Sequence, residues 1–262
     1  MVTRVALIAG QGGLPAALAD GLPAGWIARH LDGYPPEGIA SEPFRIERLG
    51  SLLGELRAAG VTEVCFAGGI ARPQLDPSLL DAATMPLVPR ILAAVREGDD
   101  AALRAVVATF EEAGLRVRGA HELLPTLLDL PLAGTPTERD FEDIARAKSI
   151  HDALAPLDVG QACVVAGGQA LAIEGLAGTD WMLESLLRPF PRPRGGVLFK
   201  AAKAGQDRRV DMATIGPGTV ERAAAAGLAG IAVMRGDVLV VDGEGTMAAL
   251  RDTGLFLVDA AG

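Results

Sequence analysis

Residues 200 to 216, KAAKAGQDRRVDMATIG, bring Lys200, Lys203, Arg208 and Arg209 together with Asp207 and Asp211. From Arg188 to Arg209 the chain carries seven cations and, Asp207 apart, no acid, although its formal net charge is −9. A local field of that sign suits an anion. Asp211 follows the paired arginines between Val210 and Met212. A carboxylate beside cations stays ionised and can hold Mg²⁺ against phosphate oxygens while lysine and arginine neutralise the remaining charge. Those are the requirements of a phosphoanhydride site. Thr214, Gly216 and Thr219 add hydroxyl and backbone donors that serve either as helix caps or as phosphate contacts. A solvated loop is the competing reading of the same run.

A second candidate lies in IAGQGGLP, where Gly10, Gly12 and Gly13 let the backbone turn tightly around Gln11 and Pro15 suits the first helical turn. Exposed amides at such a turn attract phosphate. Pro15 replaces the third glycine of the dinucleotide fingerprint, yet Asp32 lies about twenty residues on, where a ribose-binding acid would sit. An NAD-dependent oxidoreductase therefore stays open, as does a purely structural turn. Gly68, Gly69 and Arg72, in CFAGGIARP, extend the same cradle for a nucleotide or its phosphates, with Arg72 equally readable as a surface cation. His121 in GAHE follows a strand and precedes a helix, without a partner at metal-ligand spacing. In TDWMLESLL, Thr179 or Asp180 is a helix cap, or Asp180 is a further metal ligand. His30 and His151 read as ordinary packing or surface residues. Cys65 and Cys163 sit in apolar runs far apart and read as reduced core residues.

The elements that must position these side chains follow from periodicity. VALIA, a helix from Leu14, LGSLLGELRAAG and EVCFAGG alternate as a parallel βα rhythm. A helical block from Val88 to Glu112 breaks at Gly98 and restarts at Asp99 and Asp100. DLPLAGTPTERD reads as a linker. The expectation is two α/β domains: a Rossmann-like one over 1–130 with a largely parallel sheet, a linker over 131–138, and a catalytic one over 139–262. In the second, QACVVAGGQALAIEG reads as a hairpin about Gly167 and Gly168, RPFPRPRGG as a surface loop, and the tail as strand, helix, strand. With 262 residues, 50% hydrophobic and 22% charged, the chain can bury a sizeable core. Its acidity argues against nucleic acid as a partner. Neither a signal peptide nor about 18 uninterrupted apolar residues is present, so a cytoplasmic protein is expected.

In order along the chain, IAGQGGLP, CFAGGIARP, GDDAALRAVV, GAHE, DVGQACVV, AGTDWML, QDRRVDMATIG and AAAAGLAGIAV resemble the LpxI-type UDP-2,3-diacylglucosamine pyrophosphatases of lipid A biosynthesis. Gln11 stands where a third consecutive glycine is common, and residues 20 to 45 match poorly. The resemblance implies metal-dependent hydrolysis of UDP-2,3-diacylglucosamine to 2,3-diacylglucosamine 1-phosphate and UMP by two domains, with water attacking the sugar-side phosphorus. It also implies that Asp211 is the catalytic acid of the family's RVD-x-x-TIG block. Mg²⁺ or another divalent cation would be held by Asp211, with Asp180 joining it, while Lys200, Lys203, Arg208 and Arg209 grip the diphosphate. Gly10, Gln11, Gly12, Gly13, Gly68, Gly69, Arg72, His121, Thr179, Thr214 and Gly216 would contact the substrate. A lipid substrate implies peripheral contact with the inner membrane, for which RPFPRPRGGVLFK supplies arginines beside apolar residues. The oligomeric state stays open, a homo-oligomer included. An NAD-dependent oxidoreductase and a noncatalytic nucleotide-sugar or lipid-binding module are the rival readings, to be told apart by turnover.

Overall fold

The computed structural model describes residues 3–70, 75–97, 99–203 and 205–261. Arg72 and Gly98 lie outside the described residues, as do the side chains of Asp99 and Asp100. The chain forms two compact α/β units. One runs to Pro125 and includes Asp207–Asp211; the other comprises Thr126–Gln206 and the chain from Met212 onward.

In the first unit, β1 (Val5–Ala9), α1 (Leu14–Gly21), β2 (Ile27–Leu31), β3 (Glu42–Phe44), α2 (Leu49–Ala58), β4 (Glu63–Ala67), α3 (Val88–Glu97), α4 (Asp99–Glu112), β5 (Arg116–Val117) and α5 (Ala120–Leu123) follow one another. The strands form an all-parallel sheet in the order β3-β2-β1-β4-β5. Central β1 is buried along its whole length, as a continuous apolar run covered on both faces requires. The core on one face joins Ala6, Ile8 and Val64 to Leu49, Leu52 and Leu56 of α2 and to Val107 and Phe110 of α4. Val210 packs against that same core, which is why the short segment 207–211 belongs to this unit.

The second unit contains α6 (Glu138–Leu154), β6 (Ala162–Ala166), β7 (Gln169–Ile173), α7 (Gly178–Ser185), β8 (Val197–Lys200), β9 (Ala213–Ile215), α8 (Pro217–Ala225), β10 (Gly230–Val233), β11 (Val238–Val240), α9 (Gly243–Thr253) and β12 (Phe256–Asp259). Its main sheet has the order β12-β10-β8-β6-β7, with β9 and β11 forming a separate parallel pair. Strands β8, β10 and β12 run parallel, whereas β6 is antiparallel to both of its neighbours. Gly167 and Gly168 have φ of 57° and 74°, the left-handed pair that a tight hairpin between β6 and β7 needs. Buried Asp143 on α6 accepts both of their amides, at 2.9 and 2.7 Å.

Two boundaries differ from the sequence expectation. The segment 131–138 is stitched to the second unit's sheet, since Ala133 and Leu257 exchange backbone hydrogen bonds of 3.0 and 2.9 Å and Thr137 caps α6. The segment 207–211 packs with the first unit because Val210 needs apolar cover, a long-range contact invisible to local periodicity. Among the described residues, no helix is long and apolar enough to cross a membrane.

Candidate active site

The glycine loops after β1 and β4 meet at the middle of the parallel sheet, where the strand order reverses. Open α/β sheets bind ligands outside the carboxyl ends of strands at such a point. Gln11 and Gly69 exchange backbone hydrogen bonds of 2.8 and 2.9 Å, and the Gly10 amide donates to the Ala67 carbonyl at 2.7 Å. A Cβ on Gly10 would lie 2.4 Å from the Gly69 oxygen, and one on Gly68, whose φ is 91°, would lie 2.6 Å from the Gln11 oxygen. Both glycines are demanded by the mutual approach of the loops. Gln11, Gly12, Gly13 and Gly69 are exposed, with open space beside the Cα of Gly12 and Gly69. Gly13 is the N-cap of α1 and carries no side-chain cap, and Pro15 sits in the first turn of the helix.

The segment 207–211 places a dense charge cluster in the same unit. Arg209 grips Asp207 through Nε at 3.0 Å and Nη2 at 2.7 Å, and its Nη1 donates to Glu111 of α4 at 2.7 Å. The guanidinium hydrogen bonds, against the opposing effect of partial burial, hold the Asp207 carboxyl below its usual range; Asp207 in turn drives Arg209 to still higher basicity. Arg209 is therefore a clamp on its own segment, and not the open diphosphate grip expected from sequence. Half-buried Asp211 donates its amide to the Asp207 carbonyl at 3.1 Å. His121, in the first turn of α5, is also half-buried. Its Nδ1 is enclosed without a hydrogen-bond partner among the described residues, and burial followed by the Arg208 charge lowers its pKa.

A polar relay runs through the second unit. Lys200 ends β8 and is 7% exposed; its Nζ donates to Thr179 Oγ1 at 2.7 Å, and that hydroxyl donates to Glu174 Oε2 at 3.0 Å. Helix α7 has Ala177 as its N-cap, so neither Thr179 nor Asp180 caps it. Asp180 is 61% exposed and pairs with Arg222 of α8 at 3.3 Å, which also reaches Glu184 at 3.7 Å. Lys203 pairs with Asp158 and its amide is fixed by Gln206 at 2.9 Å. The Thr214 hydroxyl donates to the Met212 carbonyl at 3.2 Å, and the Gly216 amide donates to the Thr219 hydroxyl at 3.3 Å, a cap at the start of α8.

No group of three or more His, Cys, Asp or Glu side chains suited to a metal occurs among the described residues. Among the described residues these donors form no closed protein cage. Magnesium usually keeps several waters and takes one or two carboxylates together with substrate phosphates. Asp211 is the carboxylate that the sequence expectation assigns to that role.

Two family models divide the chain between them: the LpxI N-terminal domain matches residues 4–127 and the LpxI C-terminal domain matches residues 129–258. The chain belongs to the LpxI family. A curated relative, the UDP-2,3-diacylglucosamine pyrophosphatase LpxI of Caulobacter vibrioides, is 38% identical over 97% of this chain and 96% of its own length. Within this LpxI fold, the two glycine loops are brought together, as are Lys200 and Thr179, and His121 lies near the 207–211 segment. Lys203 pairs with distant Asp158, whereas Thr214 and Gly216 have local partners. Sequence reasoning gave no role to Glu174, Glu111 or Asp158. Nothing local marked Glu111 or Asp158, whereas Glu174 is the only acid in the hairpin stretch QALAIEG.

Proposed function

We propose that this LpxI chain hydrolyses the pyrophosphate of UDP-2,3-diacylglucosamine, releasing 2,3-diacylglucosamine 1-phosphate and UMP in lipid A synthesis. The observation that carries the reading is the end-to-end similarity to a pyrophosphatase of that name, with the acid of the RVD-x-x-TIG block present as Asp211. Water adds its oxygen to the sugar-side phosphorus while the bond from that phosphorus to the bridging oxygen breaks, and UMP leaves with the bridging oxygen. Such a reaction needs chiefly positioning and charge neutralisation. Mg²⁺, when bound, would neutralise the diphosphate and polarise the reacting phosphoryl group. Asp211 would hold that cation. The amides of Gly12 and Gly13, at the start of α1, would donate to phosphate oxygens. Lys200, in the second unit, is held in one position by Thr179 and Glu174, a fixed charge of the kind that phosphoanhydride hydrolysis needs. Arg208 supplies a further cation.

The same reading extends to location. A substrate with two acyl chains is met at the cytoplasmic surface of a membrane, and the second unit exposes Trp181, Leu187 and Phe190 near exposed Arg188 and Arg194 in sequence. Apolar side chains beside arginines suit weak, reversible attachment to an anionic surface.

The decisive experiment incubates the protein with UDP-2,3-diacylglucosamine and Mg²⁺ and follows UMP release. Asp211→Ala should fold normally and lose about three orders of magnitude in rate, equivalent to about 4 kcal/mol of transition-state stabilisation. Normal turnover by the folded variant would remove Asp211 from the reaction.

A further inference from the structure

Asp32, the acid that by spacing alone suggested a nicotinamide dinucleotide, lines a groove in the first unit. The groove, of about 280 Å³, is lined by Asp32, Phe44, Arg45, Arg48, Leu52 and Glu55. That volume is close to the lower bound for small-molecule sites, ~300 Å³. Its place in the sheet is fixed by register: Ala9 of β1 pairs with His30 of β2, and Leu31 of β2 pairs with Phe44 of β3. The Asp32 amide then donates to the Phe44 carbonyl at 2.8 Å, holding the residue just beyond the carboxyl end of β2. Neighbouring strands are ~4.8 Å apart. The groove therefore lies about one to two strand spacings, ~5–10 Å, from the Gly10–Gly13 loop, the span from a diphosphate to its nucleoside.

The polar groups of the groove are pre-set. Glu47, 2% exposed, accepts the Asp76 amide at 2.9 Å and pairs with Arg45 Nε at 3.3 Å. Thus anchored, Arg45 points Nη1 at Asp32 Oδ2, 3.6 Å away. A carboxylate offers about four lone-pair positions, so an arginine on one oxygen leaves acceptors for hydroxyl donors. Arg45 meanwhile presents donors of the kind that uracil carbonyls accept, and Phe44 contributes an apolar wall. We infer that this groove holds the nucleoside half of the uridine diphosphate substrate, with the Asp32 carboxylate receiving the ribose hydroxyls. The inference rests on the proposed UDP-sugar substrate but is tested without turnover.

The test titrates the full chain with UMP and with 2′,3′-dideoxyuridine monophosphate by calorimetry, for wild type and Asp32→Ala. Asp32 is largely exposed, so the variant should keep the wild-type melting temperature. Wild type should bind UMP about tenfold more tightly than the dideoxy analogue, because a site built to bond a hydroxyl rejects a ligand lacking it. Asp32→Ala should bind both alike, at the wild-type level for the analogue. Discrimination that persists in a folded Asp32→Ala protein, or a wild type that binds neither nucleotide or both equally, overturns the assignment. A chain that reads the ribose through Asp32 yet leaves UDP-2,3-diacylglucosamine intact would instead overturn the proposed activity and keep the nucleoside site.

Discussion

Replacing Thr179 with valine removes one hydroxyl from the Lys200 relay while keeping nearly the same shape. Two hydrogen bonds disappear: the 2.7 Å bond from Lys200 and the 3.0 Å bond to Glu174. Water can replace the one on Glu174, which is half-buried. It cannot easily do so at Lys200, which is 7% exposed, so the ammonium keeps most of its desolvation cost without that acceptor. Losing a bond to a buried charged group costs about 1.5–3 kcal/mol, and the solvated end adds well under 1. The expected loss is about 2–3 kcal/mol in the second unit. For a unit of this size each kcal/mol moves the midpoint about 3–5 °C, giving a fall of about 6–15 °C by calorimetry. Hydrolysis should fall as well, since Lys200 is no longer aimed. Thr179→Ser should restore both properties. In a Lys200→Met background the same Thr179→Val change should cost under about 1 kcal/mol, because both polar ends of the first bond are then gone. A Thr179→Val midpoint within 2 °C of wild type, or an equal cost in the two backgrounds, would refute the relay.

Gly68→Ala should destabilise the first unit by about 2–5 kcal/mol in a denaturant titration, adding the strain of a φ of 91° to a Cβ placed 2.6 Å from the Gln11 oxygen; a loss below 0.5 kcal/mol would mean the loops can part freely. Asp207 has a folded-state pKa lowered from its ordinary 3.8, so its contribution is present above that value and is lost as pH falls through the lower, folded one. The stability difference between wild type and Asp207→Asn should accordingly be constant from pH 7 to 5 and shrink below about pH 4, whereas a difference that grows on acidification would reverse the sign of the Asp207–Arg209 coupling.

Much of the architecture was legible in the chain because it is local. Buried parallel strands read as continuous apolar runs, as in VALIA, and two adjacent glycines between strand-like runs announce a hairpin whose turn needs two positive φ angles. Asp211 beside paired arginines was equally visible, since charge and order along a chain need no fold to be read. What only the tertiary structure decided is which groups face one another. Gly10 and Gly68 are 58 positions apart, and each is glycine because the other's loop occupies the space of its Cβ. Arg209 looked available for phosphate until the fold brought Glu111 from α4 to it. Asp180 was read as a cap or ligand, whereas α8 sets Arg222 against it. Asp32 carried the right spacing for one cofactor, but its use depends on Arg45, which buried Glu47 holds in place. Periodicity and composition report how each residue meets solvent and its chain neighbours. Hydrogen bonds and ion pairs act over about 3–4 Å in space, so the partners of a charged side chain are settled only when distant segments pack.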